Sequence, residues 1–138
     1  MATRDREKGA QAPENRLPVT LDLYGRVMSG ILMLLGLLHW AVILGVVGGP
    51  GGSFEEMSTA WKMATIHFGV VDLVAAVGLW QRVAWGNVLW VYAALSEVAI
   101  HTVFIGTFGA DYLIVAFHVV TLGAYAALSI AVRRAATR

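Results

Sequence analysis

The sequence predicts an all-α membrane protein: four transmembrane helices in an antiparallel, up-down-up-down bundle with both termini cytoplasmic. Three observations lead there. Of 138 residues, 58% are hydrophobic and 14% charged, against about 25% charged in a soluble domain. The charges gather in short stretches that separate four long runs, each with at most one Asp or Glu near its middle. The later connections are so short that neighbouring helices must run antiparallel. A net charge of +1 supplies no nucleic-acid footprint. The absence of cysteine removes disulfides, thiolate catalysis, iron-sulfur clusters, Cys-bearing zinc sites and c-type haem attachment.

Residues 1–22 read as a disordered cytoplasmic tail. The first 26 residues hold five basic and four acidic side chains with Pro13 and Pro18 and lack apolar periodicity, so they bury too little surface to offset chain entropy. Residues 20–26 are read at the interface, where the first helix begins. The transmembrane domain is placed at 23–132. Its first span, 27–47, is 21 uncharged residues, about 31 Å at the helical rise and long enough to cross the hydrocarbon. That length also reads as a span rather than a signal peptide. The run Gly48-Gly49-Pro50-Gly51-Gly52 then ends the helix. Ser53 and Glu56 have capping-box spacing, which predicts a short interfacial helix from Phe54 to Trp61, with a plain loop as the other reading.

The remaining spans are placed at 63–81, 86–107 and 112–132, and residues 133–138 form a basic cytoplasmic end. Trp61, Trp80, Trp85 and Trp90 are read as interfacial anchors, whereas Trp40, near the middle of its span, is read as packing against a neighbour. Five basic residues in the tail, then Arg82, Arg133, Arg134 and Arg138, stand on one side against Lys62 on the other. The positive-inside rule therefore puts both termini in the cytoplasm of a bacterial cell, at the inner membrane, and the Gly-rich loop outside. Gly123, Ala127 and Ala131 make a small-residue face that admits a close partner, from this chain or from a second copy.

Ionisable groups inside the spans carry the functional argument, because charge in hydrocarbon demands a partner or a purpose. With midpoints near 37, 72, 97 and 122, His39, His67, His101 and His118 fall about 3 to 8 Å outward of the midplane. Asp72 and Glu97 lie close to it. Glu97 and His101, four positions apart, share a helix face and are expected to hydrogen-bond and hold one proton between them; the alternative is a polar pair that fixes helix rotation. Asp72 is read either as a protonated donor to a backbone carbonyl or to Glu97, or as a mid-membrane proton carrier. His67 points about 140° away from it. Asp111, His118, Thr121, Tyr125 and Ser129 form a polar stripe facing protein or water, either interhelical glue or the wall of a ligand or proton path. His39 is read as a packing residue.

Four imidazoles at one depth also admit a b-type haem held by two of His39, His67, His101 and His118, or a bare metal site using them with Glu97 or Asp72. No HExxH helix, phosphate loop or nucleophile elbow is present. The leading expectation is a non-enzymatic accessory or assembly component, without a cofactor, in contact with the bilayer and with itself or a larger membrane complex. Its buried layer comprises Asp72, Glu97, His101, His118 and Tyr125. A haem b electron-transfer or quinone-reactive subunit, and proton or small-ion translocation through Asp72 and Glu97, are the alternatives.

Gly36-Leu37-Leu38-His39-Trp40, Gly78-Leu79-Trp80, Trp85-Gly86, Glu97 and Phe117-His118, taken in this order over residues 22–132, resemble an uncharacterised family of small alphaproteobacterial inner-membrane proteins. The resemblance implies a membrane location and no activity or catalytic residue.

Overall fold

The structure is a computed structural model that describes residues 16–137. It consists of helices packed against each other. The first, α1, is Arg16–Ile43. Pro18 lies in its opening turn, where an amide has no helical partner to lose, so helix starts upstream of the point at which composition suggested order. Residues 16–22, read from sequence as tail, belong to α1. Residues 1–15, the rest of the expected tail, and Arg138 lie outside the described residues, whereas Arg133 and Arg134 of the expected basic end belong to the last turn of the final helix.

α1 stops at Ile43, short of the expected Val47, because Gly45 turns left-handed at φ 72°. Its amide donates to Val42 O (3.0 Å) and the Val46 amide to Ala41 O (2.8 Å), a Schellman closure. The following loop is pinched by a bridge between Gly49 and Gly52. Only one 3-10 turn, Phe54–Glu56, forms where a helix to Trp61 was expected. Glu56 accepts from the Ser53 amide (2.8 Å) and hydroxyl (2.9 Å), but Ser58 then caps a new helix by accepting from the Trp61 amide (3.3 Å). That helix is α2, Thr59–Trp80.

α2 closes through a second Schellman motif, with Arg82 N to Leu79 O and Val83 N to Gly78 O, both 3.1 Å. α3 is Ala84–Thr102, five residues shorter at its end than expected. A one-turn helix α4, Ile105–Phe108, follows, and Gly109 at φ 79° redirects the chain. Asp111 Oδ1 accepts from the Leu113 and Ile114 amides (3.1 Å each) and starts α5, Tyr112–Ala136.

Contact register makes each successive pair of long helices antiparallel. Ser29 Oγ donates to Ala76 O (2.7 Å) and Trp40 Nε1 to Gly69 O (3.1 Å) between α1 and α2. Gly78 and Gly86 let the backbones of α2 and α3 touch, with no room for a Cβ on either. Trp90 meets Tyr125 edge-on, with centroids 5.2 Å apart, between α3 and α5. Tyr24 Oη donates to Thr121 O (2.6 Å) between α1 and α5. Met28, Leu32, Ala75, Ala76, Leu79 and Trp90 form an apolar core between these helices. Trp90 is thus fully buried instead of anchoring at an interface.

Three helical segments, Pro18–Ile43, Thr59–Trp80 and Tyr112–Ala136, are long and apolar enough to cross a membrane. Four were expected. α3 falls outside that group because Asn87, Ser96, Glu97 and His101 interrupt its apolar residues. Large apolar side chains such as Leu34, Leu37, Val119 and Val120 are exposed along α1 and α5, a surface suited to lipid and costly in water.

Candidate functional site

The polar residues of the helices converge in the half of the molecule nearest the Gly-rich loop. His39 of α1 faces Asp72 of α2, with Nδ1 3.8 Å from Oδ2. Register brings them together: Trp40, next to His39, donates to Gly69, one turn before Asp72. Gly69 admits this approach, since a Cβ there would press on His39 Cβ and Trp40 Nε1 at 3.3 and 3.4 Å. The second acid-imidazole pair joins Glu97 of α3 to His118 of α5 through Oε2 and Nε2. His118 is the only buried residue of α5, and its side chain is 3% exposed.

His118 Nδ1 is buried without a hydrogen-bond partner among the described residues. An orphaned lone pair is tolerated better than an orphaned N–H, so Nε2 is the ring nitrogen that donates to Glu97.

The expected Glu97–His101 hydrogen bond within α3 is replaced by two separate contacts. Glu97 turns to His118, and His101 Nδ1 lies 3.1 Å from Gly109 O. His101 is nonetheless close, because it and Glu97 line one cavity of about 360 Å³. This chamber is lined by Pro50, Ala110 and Asp111 at the loop end, and Trp61 and Phe108 together form part of its wall. It ends at His39 and Glu97. Beyond them lie Asp72, 4% exposed at its side chain, and then the apolar core. The chamber therefore approaches the acid-imidazole pairs from one end of the molecule.

His67 stays apart, against Phe68 and Tyr92 at ring separations of 5.1 and 5.6 Å. Tyr125 belongs to the aromatic packing around Trp90, on the far side of His118 from the loops. Thr121 turns its hydroxyl back to Phe117 O (2.8 Å). Gly123, on the small-residue face, meets open space. Among the described residues no group of three His, Asp or Glu side chains is placed to hold a metal ion. The Asp72 partner, His39, is read from sequence as a packing residue or a haem ligand and not as a partner for this carboxyl. Its signal was depth, since His39 and Asp72 sit near the midpoints of consecutive antiparallel helices.

Apolar helices facing outward, with paired acids and imidazoles held inside, define a small multi-span membrane protein. Residues 19–136 match the model of a family of unknown function, DUF6163, and the chain belongs to that family. No curated protein and no solved structure matches it.

Proposed function

We propose that this chain is a non-enzymatic accessory or assembly component of the bacterial inner membrane. It crosses four times with both termini cytoplasmic, and its buried His/carboxylate layer takes up and releases protons on the side of the Gly-rich loop. The observation that carries this reading is the pairing of two carboxyls with two imidazoles, His39–Asp72 and Glu97–His118, at the inner end of one chamber.

Support for the fourth crossing comes from the neighbours of α3. It lies backbone to backbone against α2 at Gly78 and Gly86 and against α5 through Glu97–His118 and Trp90–Tyr125. Both neighbours are long enough to span, so a 19-residue helix of about 28 Å held between them shares their depth. Glu97 and His101 lower its hydropathy, yet they face the chamber rather than lipid. Arg82, Arg133 and Arg134 lie at the end opposite the Gly-rich loop, in accord with the positive-inside rule.

Each acid-imidazole pair joins two helices, so its protonation couples to helix packing. Such a layer suits a component that holds or adjusts partner subunits, or that passes protons through Asp72 and Glu97 once a second access path opens. The test is spectroscopic. Protein purified in detergent is expected to be colourless, and infrared difference spectra between about pH 5 and pH 8 are expected to show carboxyl bands that Asp72→Asn and Glu97→Gln each remove. A Soret band lost on replacing two histidines would transfer the assignment to haem b. Carboxyl bands that do not move with pH would overturn the proton reading.

A further inference from the structure

The chamber contains more than a proton site needs. Its volume of about 360 Å³ falls in the range of small-molecule pockets, roughly 300–1,000 Å³, and far exceeds the 10–15 Å³ or so that one water requires. The geometry points to a binding site for a small organic cation, a primary amine or quaternary ammonium with an apolar body.

Charge selects the ligand class. Glu97 and Asp111 line the chamber with His39 and His101, and neither lysine nor arginine lines it. An anion would meet two carboxyl groups without a counter-charge, whereas a cation gains from both. Each carboxyl commits one oxygen to the fold: Asp111 Oδ1 caps α5 and Glu97 Oε2 meets His118. Asp111 Oδ2 and Glu97 Oε1 remain for a ligand.

Shape separates an organic cation from a metal ion. The titratable groups are too dispersed for three to grip one ion, so a ligand that engages them must extend between them. The walls suit such a body. Trp61 and Phe108 stand edge to face with centroids 5.0 Å apart, and Trp61 also lies 6.4 Å from the His101 ring. Aromatic faces stabilise ammonium groups within about 6 Å and cover methylene or phenyl surface equally well.

This inference deepens the reading above and rests on it only for the side of entry, which the following test does not use. Purified full-length protein is titrated calorimetrically with phenethylammonium chloride, tetramethylammonium chloride and the neutral isostere 2-phenylethanol, each corrected by titration into protein-free micelles. Both cations are expected to bind, and 2-phenylethanol at least about tenfold more weakly than phenethylammonium. Asp111→Asn keeps the helix cap, since Asn caps as well as Asp, and is expected to weaken phenethylammonium about tenfold with unchanged thermal stability. Trp61→Leu weakens it independently of charge. Equal binding of cation and alcohol, no heat from either cation, or an Asp111→Asn affinity equal to the parent's would overturn the inference. The infrared titration of Asp72 and Glu97 uses no ligand, so it stands or falls separately.

Discussion

Arg82 shows how a local rule yields to a long-range contact. It is the one non-glycine residue with positive φ, 59°, among those described, and it occupies the position of a helix end where glycine is favoured. Its guanidinium reaches across 60 positions to Asp22 of α1, with Nη2 2.7 Å from Oδ2 and Nε 2.5 Å from Oδ1. Arg26 approaches the same carboxylate at 3.5 Å and lies over the Trp80 ring at 5.1 Å. A left-handed non-glycine residue costs about 1 kcal/mol, and an exposed ion pair returns a similar amount or less. Arg82→Gly alone should therefore change stability little. In an Asp22→Asn background the strain has no compensation, so Arg82→Gly should stabilise by about 1 kcal/mol, read from unfolding in mixed micelles. Destabilisation in that background would contradict the assignment. At this scale the sequence marked Asp72, Glu97, His101 and His118 because charge in apolar runs is visible. The choice of partner was hidden: Glu97 prefers His118, 21 positions away, to His101 on its own helix, and that depends on helix rotation, which packing sets.

Helices, in contrast, were readable in number and order, because apolar runs separated by Gly, Pro and charge leave few alternatives. Their ends were less so. α1 stops at Ile43, just before left-handed Gly45, and α3 at Thr102, both within uncharged sequence, since left-handed turns and helix breaks carry no hydropathy signal. The tightest helix contact was equally invisible as a pair. A methyl group on Gly86 would strike the backbone of Gly78 and Leu79, so Gly86→Ala should destabilise by about 1–3 kcal/mol through overpacking. Gly25→Ala, which meets no neighbouring atom, should raise stability or leave it unchanged. Equal effects in micelle unfolding would refute the close α2–α3 crossing.

The loop before α2 gives a pH prediction at the same scale. The Ser53 amide and hydroxyl hold the Glu56 carboxyl below its ordinary range. A lowered folded pKa means that the stabilisation is fully present above the unfolded glutamate value, roughly 4.3. It is lost as pH falls through the folded pKa. Ser53→Ala should raise the Glu56 pKa in an NMR titration while the backbone donor keeps part of the shift. An unaltered value would show that the hydroxyl contributes nothing.

Across the whole molecule, two halves differ in kind. The half bearing the start of α1 and the end of α5 is packed around Trp90, Met28 and Leu32, with the Asp22–Arg82 pair at its outer edge. The other half is divided by the chamber that runs from Pro50 and Asp111 to His39 and Glu97. The chamber reaches His39 and Glu97 from the loop face, and a separate cavity of about 260 Å³, bordered by Asp22, Leu79, Arg82, Asn87 and Tyr125, lies at the other end. Placing the loop face outside the cell requires α3 to cross, because three crossings would put the termini on opposite sides.

The chain lacks cysteine, so single cysteines report topology without background. The most direct measurement is labelling of Ala110→Cys, His39→Cys and Thr137→Cys in intact cells with a membrane-impermeant thiol reagent. Ala110→Cys should react in intact cells, His39→Cys more slowly through the chamber, and Thr137→Cys only after permeabilisation. Labelling of Thr137→Cys in intact cells, or protection of Ala110→Cys until the membrane is opened, would contradict a four-span protein whose polar chamber faces outward.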